Sequence, residues 1–176
     1  MTLTLSGSYL NSTYADENGR VIYKVNTTTT LPGGSSNIVK LLPDDIPRMQ
    51  NVEGDEVPGD RFAHLARIDW KIYSIFHHGE ELVTKQFFRR ESGWAKKRNR
   101  IFMGEDGKEY KWVLGPVYPE LRLNDESQTV VAKYNPGSVF TKKRPGVLEI
   151  FPSARHMMDI IVMTFVYVET ARRRES

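Results

Sequence analysis

The residues best suited to chemistry lie between Lys85 and Arg100. Seven basic side chains (Lys85, Arg89, Arg90, Lys96, Lys97, Arg98 and Arg100) stand against one acid, Glu91, and are interleaved with Phe87, Phe88 and Trp94. Lys and Arg attract phosphates, and an aromatic ring among them suits the boundary between headgroups and acyl chains. Each cation near an anionic bilayer is worth about 1 kcal/mol, so a cluster of this size would hold a domain at such a surface. The expected contacts are Arg89, Arg90, Lys96, Lys97, Arg98 and Arg100, with Trp94 as the interfacial anchor. The same pattern fits a hairpin whose rings enter a core and whose charges are merely solvated. Lys142-Lys143-Arg144 and Arg172-Arg173-Arg174 are smaller basic patches of the same kind. Phosphate attraction alone would also suit nucleic acid. A net charge of +3 and no recognisable nucleic-acid module make that partner an unexpected one.

Other chemistries find little footing. Cysteine is absent, which excludes thiol catalysis, disulfides and Cys-ligated metals. His64, His77, His78 and His156 show no ligand spacing, and on a strand His77 and His78 would point to opposite faces. Asp69, Asp125 and Asp159 have no catalytic partner linked to them in sequence. Gly33-Gly34-Ser35-Ser36 lacks the Gly-Lys-Ser/Thr ending of a phosphate loop, and no Gly-x-Ser-x-Gly occurs. No catalytic residue, metal or cofactor is therefore expected, and an enzyme would need a site built from loops. The remaining feature is the segment 43–60, with Pro43, Pro47, Pro58 and six acids against Arg48. It reads as an acidic loop, and a protein–protein adaptor using that loop is the alternative to lipid binding.

The elements that must carry these residues are mostly strands. Residues 20–25, 67–72, 109–114, 120–123, 129–134 and 147–151 alternate or read as short apolar runs, and 37–42 and 81–88 are further strand candidates. After 67–72 the alternation changes phase at Tyr73-Ser74-Ile75, which predicts a bulge or bend. Three acidic turns, at Asp16-Glu17-Asn18-Gly19, Glu105-Asp106-Gly107 and Asn124-Asp125-Glu126, each lead into a strand with an apolar–Lys–apolar centre. Hairpin turn chemistry by itself produces that echo. About ten such strands predict an antiparallel barrel or sandwich.

The last segment changes period. After Pro152, with Ser153 placed to cap it, 154–174 predicts a helix apolar on every side from Met157 to Val168. Such a helix must be enclosed. Asp159 would be offset by Arg155 or His156 on the same helix, and Arg172, Arg173 and Arg174 suit its C-terminal dipole. The apolar stretch would rise about 18 Å, too short for a bilayer core. With no leader-like N-terminus, the expectation is a cytoplasmic chain of 176 residues, one domain, without a transmembrane segment and peripheral at a membrane.

Tyr14-Ala15-Asp16 to Tyr23-Lys24-Val25, Asp60 to Trp70, Gly107 to Gly115 and Leu148-Glu149-Ile150-Phe151 with the final helix carry a family likeness. With them the chain resembles an uncharacterised fungal family of the tubby C-terminal-like superfamily, which includes tubby proteins, phospholipid scramblases and LURP-one-related proteins. The resemblance implies a mainly β fold: a closed antiparallel β-barrel enclosing a hydrophobic C-terminal α-helix. Together with the basic cluster, it implies a non-enzymatic binding module for anionic phospholipid, including phosphoinositide. No binding signature of those relatives falls on numbered positions here, since function does not follow from fold.

Overall fold

The computed structural model describes residues 1–28, 33–43, 61–91, 98–115, 118–137 and 144–174. Thirteen strands form one antiparallel sheet: β1 Thr2–Leu5, β2 Ser12–Ala15, β3 Val21–Thr28, β4 Ser35–Leu41, β5 Phe62–Asp69, β6 Ser74–His77, β7 Glu80–Val83, β8 Arg89–Arg90, β9 Arg100–Met103, β10 Glu109–Leu114, β11 Pro119–Leu123, β12 Val130–Asn135 and β13 Val147–Ile150. Every sheet neighbour is also a sequence neighbour except β1, which pairs with β13 and brings the two ends of the chain together. The order therefore runs from β7 down to β1, then from β13 down to β8. One helical turn, α1 (Thr84–Phe87), joins the two edge strands β7 and β8. No ladder pairs these edges among the described residues, so the sheet is not closed by hydrogen bonds.

The hairpins follow local polar chemistry. Asp16 Oδ1 accepts the backbone N–H groups of Asn18 and Arg20, and Asp125 Oδ1 accepts those of Ser127 and Gln128. Asp106 Oδ1 accepts Lys108 N–H between β9 and β10. These are the three acidic turns of the sequence, each linking consecutive strands. Gly19 and Gly107 adopt φ of +80° and +74° there, a region that costs glycine little.

The phase change after residue 70 is a full turn, Trp70–Tyr73, rather than a bulge within one strand. Asp69 Oδ1 accepts the N–H groups of Lys71 and Ile72, and Tyr73 sits at φ +55°. The expected strand 81–88 is likewise divided into β7 and α1.

The C-terminal helix α2 spans Met158–Arg174 and follows a 3-10 helix over Pro152–Met157. Phe151, not Ser153, holds the cap position, and no side chain caps it; Pro152 sets the first turn instead. All eleven residues from Ile160 to Thr170 are buried, so strands surround the helix, as its all-round apolarity requires. Trp112 of β10 donates its indole N–H to Thr164 Oγ1 at 3.0 Å. Asp159 is satisfied from the sheet, not from its own helix. Lys40 Nζ of β4 lies 2.7 Å from its Oδ2, and Tyr23 of β3 donates its hydroxyl to Oδ1. The enclosing strands bring these partners closer than Arg155 or His156, and His156 pairs with Asp106 instead. Among the described residues, no helix is long and apolar enough to cross a membrane.

Candidate functional site

The end of α2 organises the most distinctive surface of the molecule. Tyr167 is stacked between Trp70, at 6.0 Å and 8°, and Phe88, at 4.9 Å and 10°. Trp70 follows β5 and Phe88 precedes β8, so the two halves of the sheet approach one another at this ring. Beyond Tyr167 the helix terminates in charge. Buried Glu169 accepts Arg172 Nε at 2.7 Å and Arg173 Nε at 2.7 Å, while Arg98 donates to the Arg172 carbonyl at 2.9 Å. A guanidinium on a last-turn carbonyl satisfies a group the helix itself leaves open.

Beside this end lies a cavity of about 340 Å³, within the range of small-ligand sites. Four cations line it: Lys85 of α1, Arg90 of β8, Arg100 of β9 and Arg174 of α2. Trp70, Tyr73 and Tyr167 supply aromatic wall, and no Asp or Glu is among the described lining residues. The strand ladder explains half of this convergence, since Arg90 is the direct cross-strand partner of Arg100. Arg100 is only 3% exposed and donates to the carbonyls of Arg98 and Asn99. It forms a fixed inner wall, whereas Lys85, Arg90 and Arg174 are exposed. Arg174 lies 5.1 Å above the Trp70 ring, a cation–π contact that orients it.

The sequence-predicted cluster is thus divided. Arg90 and Arg100 meet at the cavity. Arg89, next to Arg90 on the strand, takes the opposite direction, and its Nη2 donates to both carboxylate oxygens of Glu109 at 2.9 and 3.0 Å. Arg98 serves the helix end. Trp94, Lys96 and Lys97 lie outside the described residues, as do Lys142 and Lys143 and all of the acidic segment beyond Pro43. Lys85, a member of the same run, joins them at the cavity, and Arg174 comes from the separate C-terminal basic patch, because α2 lying within the sheet brings residue 174 beside residue 90.

At the opposite end of α2, polar groups are held in place by one another. Burial, reinforced by Asp159, pushes the Tyr23 phenol far above its ordinary range, so it stays a hydrogen-bond donor. Burial and the Asp106 hydrogen bond push Tyr110 up to about 12. His77 and His78 do not diverge: their rings stand 4.0 Å apart, because His78 leaves the strand at φ +49°. Among the described residues no three His, Cys, Asp or Glu side chains group as a metal site would require.

Comparison with curated proteins and with solved structures returns no match to this chain. A family model does match, over residues 7–174, and it is described as a family of unknown function, DUF6593. With nearly its whole length matched, the chain belongs to the DUF6593 family.

Proposed function

We propose that the chain is a tubby-like barrel acting as a non-enzymatic module that attaches peripherally to anionic phospholipid, with phosphoinositide among its ligands. The observation that carries this reading is the cavity at the end of α2, lined among the described residues by four cations and no Asp or Glu. Phosphate groups suit such a site because guanidinium forks bind them bidentately. The enclosed helix also supports a binding role, since its side chains occupy the interior. The cytoplasmic leaflet, which carries anionic lipid, is the surface to which this charge is complementary.

The test is co-sedimentation with phosphatidylserine vesicles at low salt. Lys85, Arg90 and Arg174 are changed together to Gln, while Arg98 and Arg100 are retained because they donate to backbone carbonyls. At about 1 kcal/mol per cation, the triple variant should partition roughly a hundredfold less strongly. A Lys96→Gln/Lys97→Gln variant measures the contribution of the other cations of the 85–100 run. If both variants sediment like the parent, the basic face is not the lipid contact.

A further inference from the structure

We infer that the Trp70–Tyr73 turn is the segment that enters the membrane interface, with Ile72 and Tyr73 as apolar anchors beside the cationic cavity. This rests on the lipid reading above and assigns its insertion element, in a place other than Trp94. Five large hydrophobic side chains are exposed among the described residues, and three of them converge here. Ile72 is 54% exposed, Tyr73 50% and Val83 36%. Val83 is the cross-strand partner of Ser74, and Thr84 N–H donates to the Tyr73 carbonyl at 3.1 Å, so the β7 end lies against the turn.

The turn is built to present these side chains. Asp69 holds the N–H groups of Lys71 and Ile72 at 2.9 and 3.2 Å. Tyr73 occupies the left-handed region at φ +55°, which is unfavourable for a bulky residue and needs surrounding contacts to persist. The apolar tip does not stand alone. Tyr73 lines the same cavity as Lys85, Arg90 and Arg174, so the turn that exposes Ile72 also borders the cationic cavity. Exposed apolar groups bordering cations match one occupant, an anionic bilayer. There the hydrocarbon side chains enter the headgroup boundary and the cations meet phosphates. A soluble acidic protein would satisfy the cations but would leave Ile72 without an apolar destination.

The absence of cysteine permits a clean probe, since Ile72→Cys can be labelled with an environment-sensitive fluorophore at a single position. Glu105→Cys is the control. It lies in the β9–β10 turn beside Asp106, whose partner His156 precedes the opposite end of α2. On vesicles of phosphatidylcholine with phosphatidylserine, the label at residue 72 should shift to the blue and be quenched by nitroxide-bearing lipid. The label at residue 105 should do neither. Protein that co-sediments while both labels keep their emission in buffer would overturn the insertion role and leave peripheral binding intact. Failure of the unlabelled parent protein to co-sediment would remove the lipid reading, and this inference with it. An independent variant, Ile72→Ser, should weaken vesicle binding several-fold without altering the thermal midpoint. Unchanged binding by that variant counts against the anchor.

Discussion

Arg89 and Arg90 are adjacent in sequence, and the strand sends one to Glu109 and the other to the cavity. A charge run therefore says how many cations are available, while the pleat decides which of them act together. Glu169 shows the converse: it is wholly buried and receives two guanidinium groups, Arg172 and Arg173, from its own helix. Removing its charge would leave those cations uncompensated at a crowded helix end. Glu169→Gln should cost about 3 kcal/mol of folding free energy, measured by urea denaturation. His77 gives a pH prediction. Burial, then the neighbouring His78, holds its imidazole below the ordinary value, against the opposing pull of Asp159, Glu105 and Glu80. Its Nε2 meets no hydrogen-bond partner among the described residues. With the folded pKa below the unfolded one, the unfolded chain binds the proton more readily. The stability contribution is then present above about pH 6.5 and is lost as pH falls through the folded value. The urea midpoint should drop between about pH 7.5 and pH 5.5, and His77→Gln should reduce that drop. An equal drop in the variant would exclude His77 as the source.

At the scale of elements, α2 was the most legible part of the sequence, because an apolar run without a polar face has no stable position except an enclosed one. Its start was not legible. Pro152 and a 3-10 turn replace the expected Ser153 cap, and the difference depends on how β13 delivers the chain. Alternation identified β3, β10, β11, β12 and β13, where Tyr23, Val25, Tyr110, Trp112 and Leu114 are buried as expected. It missed β1 and β2, which have only four residues each, and β9, where Arg100, Ile101 and Phe102 are buried in succession. β1 and β2 do alternate, but over too few residues to stand out, whereas the doubly covered β9 has no period-two signature to read. The enclosure of α2 predicts that Ile161→Asp or Val162→Asp places an unpaired charge in the core and abolishes cooperative folding. A melting transition like that of the parent would contradict the enclosure.

For the whole molecule, the sequence pointed to a β-rich fold around one helix and to a basic region between residues 85 and 100. The site itself was less legible. Lys85, Arg90 and Arg100 lie close in sequence, but Arg174, Trp70 and Tyr73 come from distant positions and reach the cavity only through the packing of α2 inside the sheet. The near-neutral total of +3 conceals this local excess of cations. Binding through such a site should be electrostatic in range and apolar in depth. It should weaken as salt shortens the screening length to about 10 Å near 0.1 M, yet retain a residue of salt-resistant binding from Ile72 and Tyr73. The most direct measurement is co-sedimentation of the unmodified protein with vesicles of increasing phosphatidylserine content at low salt. The account predicts partitioning that rises steeply with anionic lipid and is near zero on pure phosphatidylcholine. Equal partitioning on both, or none on either, would contradict it.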